Sequence, residues 1–251
     1  MPTQEFNHGD RSRISVSCQN CGLFLICLPG GLNTIDLKLL DTIIKCRRPI
    51  KRNEVLFRTG EPFQFVYAIQ SGSVKTTILT EDGREQVTGF HFPGELLGLD
   101  AISPGHHSHT ARSLERTRIC EVPFRRFEAL AQRLPKLQSQ MLRIMSNQIG
   151  YIQNLSMPLR RNSTKAKLAI FLLNLSERLR QRGFSDTEYH LSMSRNDIAN
   201  YLGVAVETVC RLFTLLQEEG VLWIQRRHIY FLDLPLLRNI AGLPRVNTDH
   251  P

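Results

Sequence analysis

Three cysteines near the N-terminus have a spacing that suits a metal centre. Cys18 and Cys21 are separated by two residues, and Cys27 follows Cys21 after five more. A segment this short can wrap around one metal centre, but structural zinc takes four tetrahedral ligands and a cubane iron-sulfur cluster takes four cysteines. The fourth ligand has to come from another part of the chain, and three cysteines could supply it: Cys46, Cys120 and Cys210. The spacing favours a bound metal and leaves zinc and iron-sulfur open.

The residues between and after these thiols are mostly apolar: Leu23, Phe24, Leu25, Ile26 and Leu28. Apolar surroundings would give a partly dry pocket that limits the access of water and oxygen to a cluster. The alternative is a buried anchor segment in which the thiols have no metal to bind.

A second region has the pattern of two short helices joined by a sharp turn. Ser194, followed three residues later by Asp197, predicts a capping box at the start of a helix that ends at Leu202. Gly203 then permits a turn into a second helix, predicted over 206–219. The apolar residues of the two helices are spaced to face each other across the turn: Ile198, Ala199, Leu202, Val209, Leu212 and Leu216. The pattern is that of a helix-turn-helix.

The first turns of this second helix carry the candidate DNA-binding residues, which are Val206, Glu207, Thr208, Cys210 and Arg211. Arg211 can donate two hydrogen bonds to O6 and N7 of guanine, and Glu207 can accept one from N4 of cytosine while orienting the arginine. In a helix-turn-helix this end of the second helix enters the major groove. The alternative is a surface ion pair between Glu207 and Arg211, which are four residues apart. The capping box, the glycine turn and the predicted wing favour DNA reading.

The elements that must position these groups change along the chain. A short helix is predicted over 33–44. From residue 55 to residue 122, short apolar stretches alternate with turn signals such as Asp82-Gly83 and Pro93-Gly94. Such alternation is typical of antiparallel strands, and it predicts a compact β-roll or barrel.

One long amphipathic helix is predicted over 135–155, with Pro158 ending it. Its apolar residues recur every three or four positions: Leu137, Met141, Ile144, Met145, Ile149, Ile152 and Leu155. This stripe could pack on the β-roll of its own chain or against the same helix of a second subunit. The length of the helix favours the second role, so these seven residues are the predicted dimer interface.

The last third of the chain predicts a winged helix. Ser163 can cap a helix that runs through Arg182, with Gly183 as its stop. The helix-turn-helix follows, and two strands over 221–224 and 229–232 form the wing around a basic turn. The predicted fold is therefore α+β. Its parts are a cysteine segment (1–30), a β-roll sensor domain (31–133), a dimerisation helix (134–158) and a winged helix-turn-helix DNA-binding domain (159–251).

Composition supports these predictions only weakly. The formal net charge is +9, which favours an anionic partner such as nucleic acid. From residue 160 onward there are 13 Lys and Arg against 9 Asp and Glu, so the surplus is not concentrated in the predicted DNA-binding half. The chain lacks a run of about 18 apolar residues and a secretory layout, which predicts a cytoplasmic protein. The sequence also lacks the common phosphate-loop, metalloprotease and nucleophile-elbow motifs, which disfavours an enzyme.

The chain resembles the cyclic-AMP receptor and fumarate-nitrate-reduction (CRP/FNR) superfamily, and specifically its oxygen-sensing iron-sulfur branch. After the Cys-x2-Cys-x5-Cys segment, the motifs that carry the resemblance follow in order: Tyr67-Ala-Ile-Gln-Ser-Gly72, Glu85-Gln-Val-Thr-Gly-Phe-His91, Gly105-His-His107, Cys120-Glu-Val-Pro-Phe124 and Val206-Glu-Thr-Val-Cys-Arg211. The resemblance covers nearly the whole chain. It implies a β-roll like that of cyclic-nucleotide-binding domains.

The resemblance also implies a mechanism. Cys18, Cys21, Cys27 and Cys120 would hold an oxygen-labile 4Fe-4S cluster, whose presence favours a homodimer able to bind DNA. The implied target is a palindromic promoter site resembling TTGAT-N4-ATCAA at anaerobic or respiratory genes. RNA polymerase is an implied partner, and the candidate polymerase-facing loops span 81–84 and 182–186. A zinc-bound or cluster-free regulator that senses another signal, or that binds DNA constitutively, is the alternative function.

The sequence departs from the superfamily at three places. His109-Thr-Ala111 replaces the phosphate-binding Arg-Ser-Ala of cyclic-AMP receptors, so we expect no cyclic nucleotide. Cys210 stands where the iron-sulfur branch usually has serine, which replaces a hydroxyl donor by a weak thiol donor. The long helix has no acidic residue near Ile152, so the cluster-free protein is expected to remain dimeric. His106, His107 and His109 could bind a metal, but an exposed polar loop is the expected state.

Overall fold

The computed structural model describes residues 17–46, 49–161 and 163–243, and for 154–161 it describes the helix but not the side chains. The strands are β1 (Lys45–Cys46), β2 (Val55–Phe57), β3 (Phe65–Ser71), β4 (Val74–Leu79), β5 (Glu85–His91), β6 (Leu96–Leu97), β7 (Thr110–Ser113), β8 (Arg118–Pro123), β9 (Glu188–His190), β10 (Leu222–Gln225) and β11 (His228–Phe231). The helices are α1 (Thr34–Ile43), α2 (Phe124–Arg133), α3 (Pro135–Arg161), α4 (Thr164–Arg180), α5 (Arg195–Leu202), α6 (Val206–Glu218) and α7 (Leu234–Ile240).

The first eight strands form the predicted antiparallel β-roll. They make two four-stranded sheets, in the order β1-β8-β3-β6 and β2-β7-β4-β5. The turn between β4 and β5 has Gly83 at φ 77°, and Gly94 has φ 86°. Glycine tolerates this left-handed backbone without steric cost, which explains why the two predicted turn signals work.

Helix α1 packs Leu37 and Leu40 into a core that it shares with the β-roll, and α2 follows β8 directly. The side chain of Asn33 caps α1, since its Oδ1 accepts the N–H of Asp36 at 2.8 Å. Helix α2 was not predicted from the sequence, and it starts after Pro123 without a side-chain cap. Its buried residues, Phe127, Leu130 and Ala131, have the three-to-four-residue spacing of a helix, so the signal was present in the sequence.

The long helix α3 is longer than predicted. The expectation that Pro158 ends it was wrong, because the helix continues to Arg161. Proline removes only its own backbone donor and disturbs the turn before it. The proline ring fixes φ at about −65°, which is compatible with helical backbone, so the helix can continue past Pro158 to Arg161.

The C-terminal region is a winged helix, as predicted. Helices α4, α5 and α6 are followed by the hairpin of β10 and β11. Strand β9, which was not predicted, adds a third strand to this sheet. Helix α7 was not predicted either, although Asp233 caps it by accepting the N–H of Leu236 at 2.8 Å. Arg226, in the two-residue turn of the wing, has φ 58°.

No single helix among the described residues is long and apolar enough to span a membrane. Helices α5 and α6 reach the required length and composition only when they are taken together, and a bend of 105° separates them.

Candidate metal centre and nucleic-acid interface

The four cysteines that the resemblance implies as ligands line one cavity. Cys18, Cys21 and Cys27 come from the segment before α1, and Cys120 comes from the middle of β8. The rest of the wall is mostly apolar, formed by Leu23, Phe24, Leu28, Pro29, Ile44, Ala68, Ile69, Gln70 and Val122. Of the two other cysteines considered as a fourth ligand, Cys46 lies next to Cys120, and Cys210 lies on α6.

Two contacts hold the cysteine segment in place. The carboxylate of Asp41 in α1 accepts hydrogen bonds from the Ser17 hydroxyl at 2.5 Å and from the backbone N–H of Cys18 at 2.9 Å. On the other side, the buried amide of Gln140 in α3 donates to the backbone carbonyl of Cys27 at 3.0 Å. The cysteine segment is therefore bonded directly to the long helix as well as to α1.

Gly30 brings the segment close to the long helix. A Cβ at this position would lie 2.6 Å from Nε2 of Gln140 and 2.8 Å from the carbonyl oxygen of Leu25. Any larger residue would have to displace backbone as well as the glutamine. Glycine is therefore required where the segment passes α3.

The surroundings of Cys18, Cys27 and Cys120 favour their protonated thiols when no metal is bound. Burial, with a hydrogen bond to Asp41, raises the pKa of Cys18 well above its usual range. Burial also raises the pKa of Cys27 to about 11. A hydrogen bond with Cys46, followed by burial, raises the pKa of Cys120 well above its usual range. A positively charged metal centre would reverse this preference, because thiolates are the ligand form and metal binding releases their protons.

The donor set fits a cluster in its chemistry. Within the described ranges, no three His, Cys, Asp or Glu side chains converge on a point that could hold a single metal ion. A cubane cluster does not require such convergence, since each cysteine binds a different iron atom. Four thiols around a largely apolar wall are the ligands that such a cluster takes.

The helix-turn-helix has the predicted local structure. The Ser194 hydroxyl accepts the N–H of Asp197 at 3.1 Å, and the Asp197 carboxylate accepts the N–H of Ser194 at 2.9 Å, which completes the capping box. Gly203 follows at φ 68°. Ile198 and Val209 are both fully buried, so the two helices pack as expected.

The candidate base-reading residues lie at the start of α6. Glu207, Cys210 and Arg211 are exposed, and Val206 and Thr208 are partly buried. The guanidinium of Arg211 lies 3.5 Å from the hydroxyl of Thr208. Over the described part of the chain, Glu207 and Arg211 form no ion pair, so their charges are available to another molecule.

The apolar stripe of α3 divides between two faces, which corrects part of the predicted interface. Leu137, Met141 and Ile144 are buried in the core that α3 shares with the β-roll, and Met145 packs partly against it. Residues buried inside their own chain have almost no surface to offer to a second copy. Ile149 and Ile152 are 54% and 62% exposed, and Leu142, which was not among the predicted interface residues, is 60% exposed. The side chain of Leu155 lies outside the described residues.

A buried ionic network joins the DNA-binding region to the β-roll. Arg178 of α4 donates to the Glu95 carboxylate at 2.6 Å and 3.0 Å, and Arg182 donates to the same carboxylate at 2.5 Å. Arg178 also donates to the hydroxyl of Tyr151 in α3 at 3.0 Å and to the carbonyl of Phe90 in β5 at 2.6 Å. Burial alone would raise the pKa of Glu95, but the two guanidinium groups hold it below its ordinary value.

The two regions also meet around the capping box. Lys75 of β4 donates to the Asp197 carboxylate at 2.6 Å, and the amide side chain of Asn200 accepts the N–H of Val87 at 2.6 Å. Asn200 also donates to the carbonyl of Glu85 at 2.8 Å. The first helix of the helix-turn-helix is thus bonded to β4 and β5.

The loop that carries His106, His107 and His109 is not the exposed polar loop that was expected. His107 is 2% exposed, and its ring stacks on Phe57 at a centroid distance of 3.8 Å. Only His106 is fully exposed, as expected. His109 faces Asp100, with Nδ1 at 3.3 Å from Oδ2. Stacking stabilises His107 as part of the apolar core, which polarity alone did not indicate. The absence of cyclic-nucleotide binding stays a prediction.

Known protein families match both the N-terminal and the C-terminal part of the chain. A cyclic nucleotide-binding domain model matches residues 47–134, and a Crp-like helix-turn-helix domain model matches residues 166–240. The transcriptional activator protein Anr of Pseudomonas protegens is 44% identical over 232 residues, which are 92% of this chain and 95% of that protein. The chain belongs to the CRP/FNR family, in its FNR branch. The fumarate and nitrate reduction regulatory protein of Escherichia coli K12 is 41% identical over 231 residues, 92% of each chain.

Solved structures agree with this CRP/FNR assignment. The structure of FixK2 from Bradyrhizobium japonicum superposes with a TM-score of 0.73 at 26% identity, and the match covers 81% of this chain and all of that one. The β-roll, long helix and winged helix are therefore the fold of the family. The protein is a DNA-binding transcription regulator and not an enzyme.

Several residues that organise this CRP/FNR regulator were missed at the sequence level. Asp41 and Gln140 position the cysteine segment, but an isolated acid or amide on a helix carries no signal of its distant partner. Glu95 and Arg178 are 83 residues apart, and only the packed structure brings them together. Cys46 was considered as a ligand, and its partner Cys120 became evident only from strand pairing.

Proposed function

We propose that the protein is an oxygen-responsive transcription activator that acts as a homodimer and holds a 4Fe-4S cluster through Cys18, Cys21, Cys27 and Cys120. The observation that carries the proposal is the assembly of these four thiols around one cavity in a chain of the FNR branch. When bound, the cluster would supply oxygen-sensitive chemistry. The residues of this chain hold it, limit its exposure to water and connect its site to the long helix.

The contacts of α3 support a role for this helix in coupling. Gln140 bonds the helix to Cys27, and Gln148 donates to the carbonyl of Leu96 at 3.1 Å. Further along, Tyr151 meets Arg178 of the DNA-binding region. One rigid element therefore contacts the cysteine segment, the β-roll and α4. A change in the packing of the cysteine segment would bias the orientation of the DNA-binding regions through this helix.

The exposed face of α3 supports a homodimer. Leu142, Met145, Ile149 and Ile152 follow each other at intervals of three, four and three residues, which is the a/d spacing of a two-stranded coiled coil. Pairing with the same helix of a second copy would bury the exposed Leu142, Ile149 and Ile152 and the remaining surface of Met145. A dimer would also present two α6 helices to the two half-sites of a palindrome such as TTGAT-N4-ATCAA.

At the DNA, the proposed roles follow from exposure and chemistry. Arg211 and Glu207 would read base edges, and Val206, Thr208 and Cys210 would complete the contact surface. RNA polymerase is the proposed protein partner at promoters. The 81–84 loop lies at an exposed tip, whereas Arg182 of the other candidate loop is engaged with Glu95 and the carbonyl of Pro93. The first loop is therefore the better candidate for polymerase contact.

Purification without oxygen tests the proposal. We expect a brown protein with about four iron and four sulfide per chain that bleaches in air and then loses affinity for the palindromic site. Cys120→Ser should lower the iron content, and Cys210→Ser, which changes an exposed thiol away from the cavity, should leave it unchanged. Colourless protein with stoichiometric zinc or no metal, and unchanged DNA affinity in air, would overturn oxygen sensing and favour the zinc-bound or constitutive alternative.

A further inference from the structure

Cys46 and Cys120 form a close thiol pair beside the cysteine cavity. The two residues face each other directly in the antiparallel pairing of β1 and β8. Their sulfur atoms lie 3.5 Å apart. Neither the ligand set nor the family resemblance gives a role to Cys46.

The backbone geometry of this pair permits a covalent link. Residues directly opposite each other in an antiparallel pair have Cα atoms about 4.5 to 5.5 Å apart, and disulfides span Cα distances of about 4.4 to 6.8 Å. The sulfur atoms need to approach by only about 1.5 Å to reach a bond of about 2.05 Å. Side-chain rotation can supply this movement without a change of strand register.

The two thiols have unequal access to solvent. Cys46 is exposed, whereas Cys120 is half-buried and lines the cavity. The thiolate is the form of a cysteine that reacts with oxidants. An oxidant in solution would therefore meet Cys46 first, and Cys120 would be the nearest thiol to resolve the product.

We propose that Cys46 and Cys120 are a redox-active pair that forms a reversible disulfide with a peroxide as the oxidant. The Cys46 thiolate attacks one oxygen of hydrogen peroxide and breaks the O–O bond. This step leaves a sulfenic acid on Cys46, and the released hydroxide takes up the proton that Cys46 lost. Cys120 then attacks the Cys46 sulfur, and the hydroxyl leaves as water with the Cys120 proton. Two thiols are oxidised by two electrons, and one peroxide is reduced to two waters.

The consequence for regulation rests on the proposed function. A disulfide at Cys120 removes one of the four proposed cluster ligands, so the oxidised chain cannot rebuild a four-cysteine site. A dithiol reductant would restore both thiols by disulfide exchange. The pair would thus prevent cluster assembly under peroxide stress and permit it again after reduction.

Peptide mapping of the full chain tests the pair directly. Reduced, metal-free protein is treated with equimolar hydrogen peroxide, its remaining thiols are alkylated, and the non-reduced digest is analysed by mass spectrometry. We expect the linked peptides of Cys46 and Cys120 as the main disulfide, present in Cys210→Ser and lost in Cys46→Ser. Free Cys46 after treatment, or Cys120 joined mainly to Cys18, Cys21 or Cys27, would overturn the proposal.

A second measurement separates this inference from the proposed function. Oxidised wild-type protein should take up at least tenfold less iron and sulfide than reduced protein until a dithiol is added. The Cys46→Ser variant should lose at most a minor part of its uptake after the same peroxide treatment. Failure of reduced wild-type protein to bind any cluster would refute the proposed function, while the peptide map would still decide whether the thiol pair reacts.

Discussion

At the scale of single residues, the regulator depends on side chains that position other groups as much as on those that bind. The four cysteines would hold the cluster, but Asp41 fixes Cys18 and Gln140 fixes Cys27 through backbone hydrogen bonds. In the DNA-binding region, Arg211 is exposed and lies beside Thr208, so its guanidinium can turn toward a base. Each of these residues can be changed without removing a large part of the core.

Arg211→Ala tests base reading. We expect the variant to lose about 1 to 3 kcal/mol of binding free energy at the palindromic site, because a bidentate contact to guanine is removed. Fluorescence anisotropy with the palindrome and with a scrambled duplex, at one fixed salt concentration, measures the difference. Arg133→Ala removes the same charge from the exposed end of α2 and should change neither affinity much. An equal loss on both duplexes would contradict base-specific reading.

Asp41→Ala tests the anchoring of the cysteine segment. The change removes the acceptor of the Cys18 N–H and of the Ser17 hydroxyl, each worth about 1 kcal/mol net. We expect faster alkylation of Cys18 in the metal-free protein and faster bleaching of the loaded protein in air. Asp41→Asn, which keeps an acceptor oxygen, should restore part of the protection, and Lys38→Ala on an exposed position of α1 should behave like wild type. Unchanged alkylation of Cys18 in Asp41→Ala would refute the anchoring role.

At the scale of elements, α3 is a helix with two apolar faces. Leu137, Met141 and Ile144 pack into the core of their own chain, and Leu142, Ile149 and Ile152 face outward. The first face, together with Gln140, fixes the helix to the β-roll and the cysteine segment. The second face is exposed, so one helix can contact both the cysteine segment and a second copy of the chain.

Ile152→Asp tests the outward face. In a parallel pair of helices the two new carboxylates would lie close together at the seam, where like charges and lost apolar contact both weaken association. We expect the dimer dissociation constant to rise at least tenfold, about 1.4 kcal/mol, in sedimentation experiments. Asn147→Asp places the same charge at an exposed position outside the stripe and should leave the dimer intact. Dimerisation of Ile152→Asp at wild-type strength would exclude this face as the interface.

Elements with strong local signals could be predicted from the sequence. The capping box of Ser194 and Asp197 and the turn at Gly203 are encoded within ten residues, and the structure has both. The face of α3 that packs inward could not be predicted in the same way. Leu137 and Ile152 have the same periodicity and similar hydrophobicity, and only the position of the β-roll separates their roles.

The candidate site was predictable to a similar, limited degree. The short Cys18 to Cys27 spacing predicted that three thiols lie close together, and all three line one cavity, while a metal bound there stays a prediction. The spacing alone left three possible fourth ligands, and only the family resemblance favoured Cys120. In the structure, Cys120 lines the cavity. Its contact with Cys46 depends on the pairing of two strands 74 residues apart, which no local pattern specifies.

At the scale of the whole molecule, the β-roll and the DNA-binding region pack directly against each other, in addition to their connection along the chain. Phe90 and Phe92 of the β-roll belong to the same core as α4 and α5. The carboxylate of Glu95 lies within this contact and binds both Arg178 and Arg182. A buried carboxylate with two guanidinium partners fixes the relative orientation of the regions more specifically than apolar contact alone.

A double-mutant cycle at Glu95 and Arg178 tests this connection. Removing one partner of a buried ion pair leaves an uncompensated charge, so Glu95→Gln or Arg178→Gln should each destabilise the protein by about 3 to 5 kcal/mol. The double variant should lose less than the sum of the single losses, as measured by urea denaturation. Arg180→Ala removes a guanidinium from an exposed pair on the same helix and should have little effect. Additive losses at Glu95 and Arg178 would mean that the pair does not act as a unit.

The stability of the molecule should also depend on pH through His91, which lies at the end of β5 beside this network. Burial lowers the pKa of His91 to about 4, with Glu95 and Asp100 opposing the shift and Arg178 and His109 adding to it. Between the ordinary value of 6.5 and about 4, the unfolded chain binds a proton that the folded chain does not. The contribution of His91 to the free energy of unfolding is therefore complete above pH 6.5 and is lost as the pH falls toward 4. The slope of the free energy of unfolding is at most about 1.4 kcal/mol per pH unit.

Urea denaturation between pH 7 and pH 5 measures this slope above the ordinary range of carboxylate titration. His91→Gln keeps a polar side chain near the Thr76 hydroxyl, which lies 3.1 Å from Nε2 of His91, and should flatten the curve. His106→Gln changes an exposed histidine of the same β-roll and should leave the curve as in wild type. If the curves of unfolding free energy against pH were parallel for wild type and His91→Gln, His91 would have the same pKa in the folded and the unfolded chain. In that case acid sensitivity near the network would have to come from Glu95 at lower pH, where protonation would remove the carboxylate that holds Arg178 and Arg182.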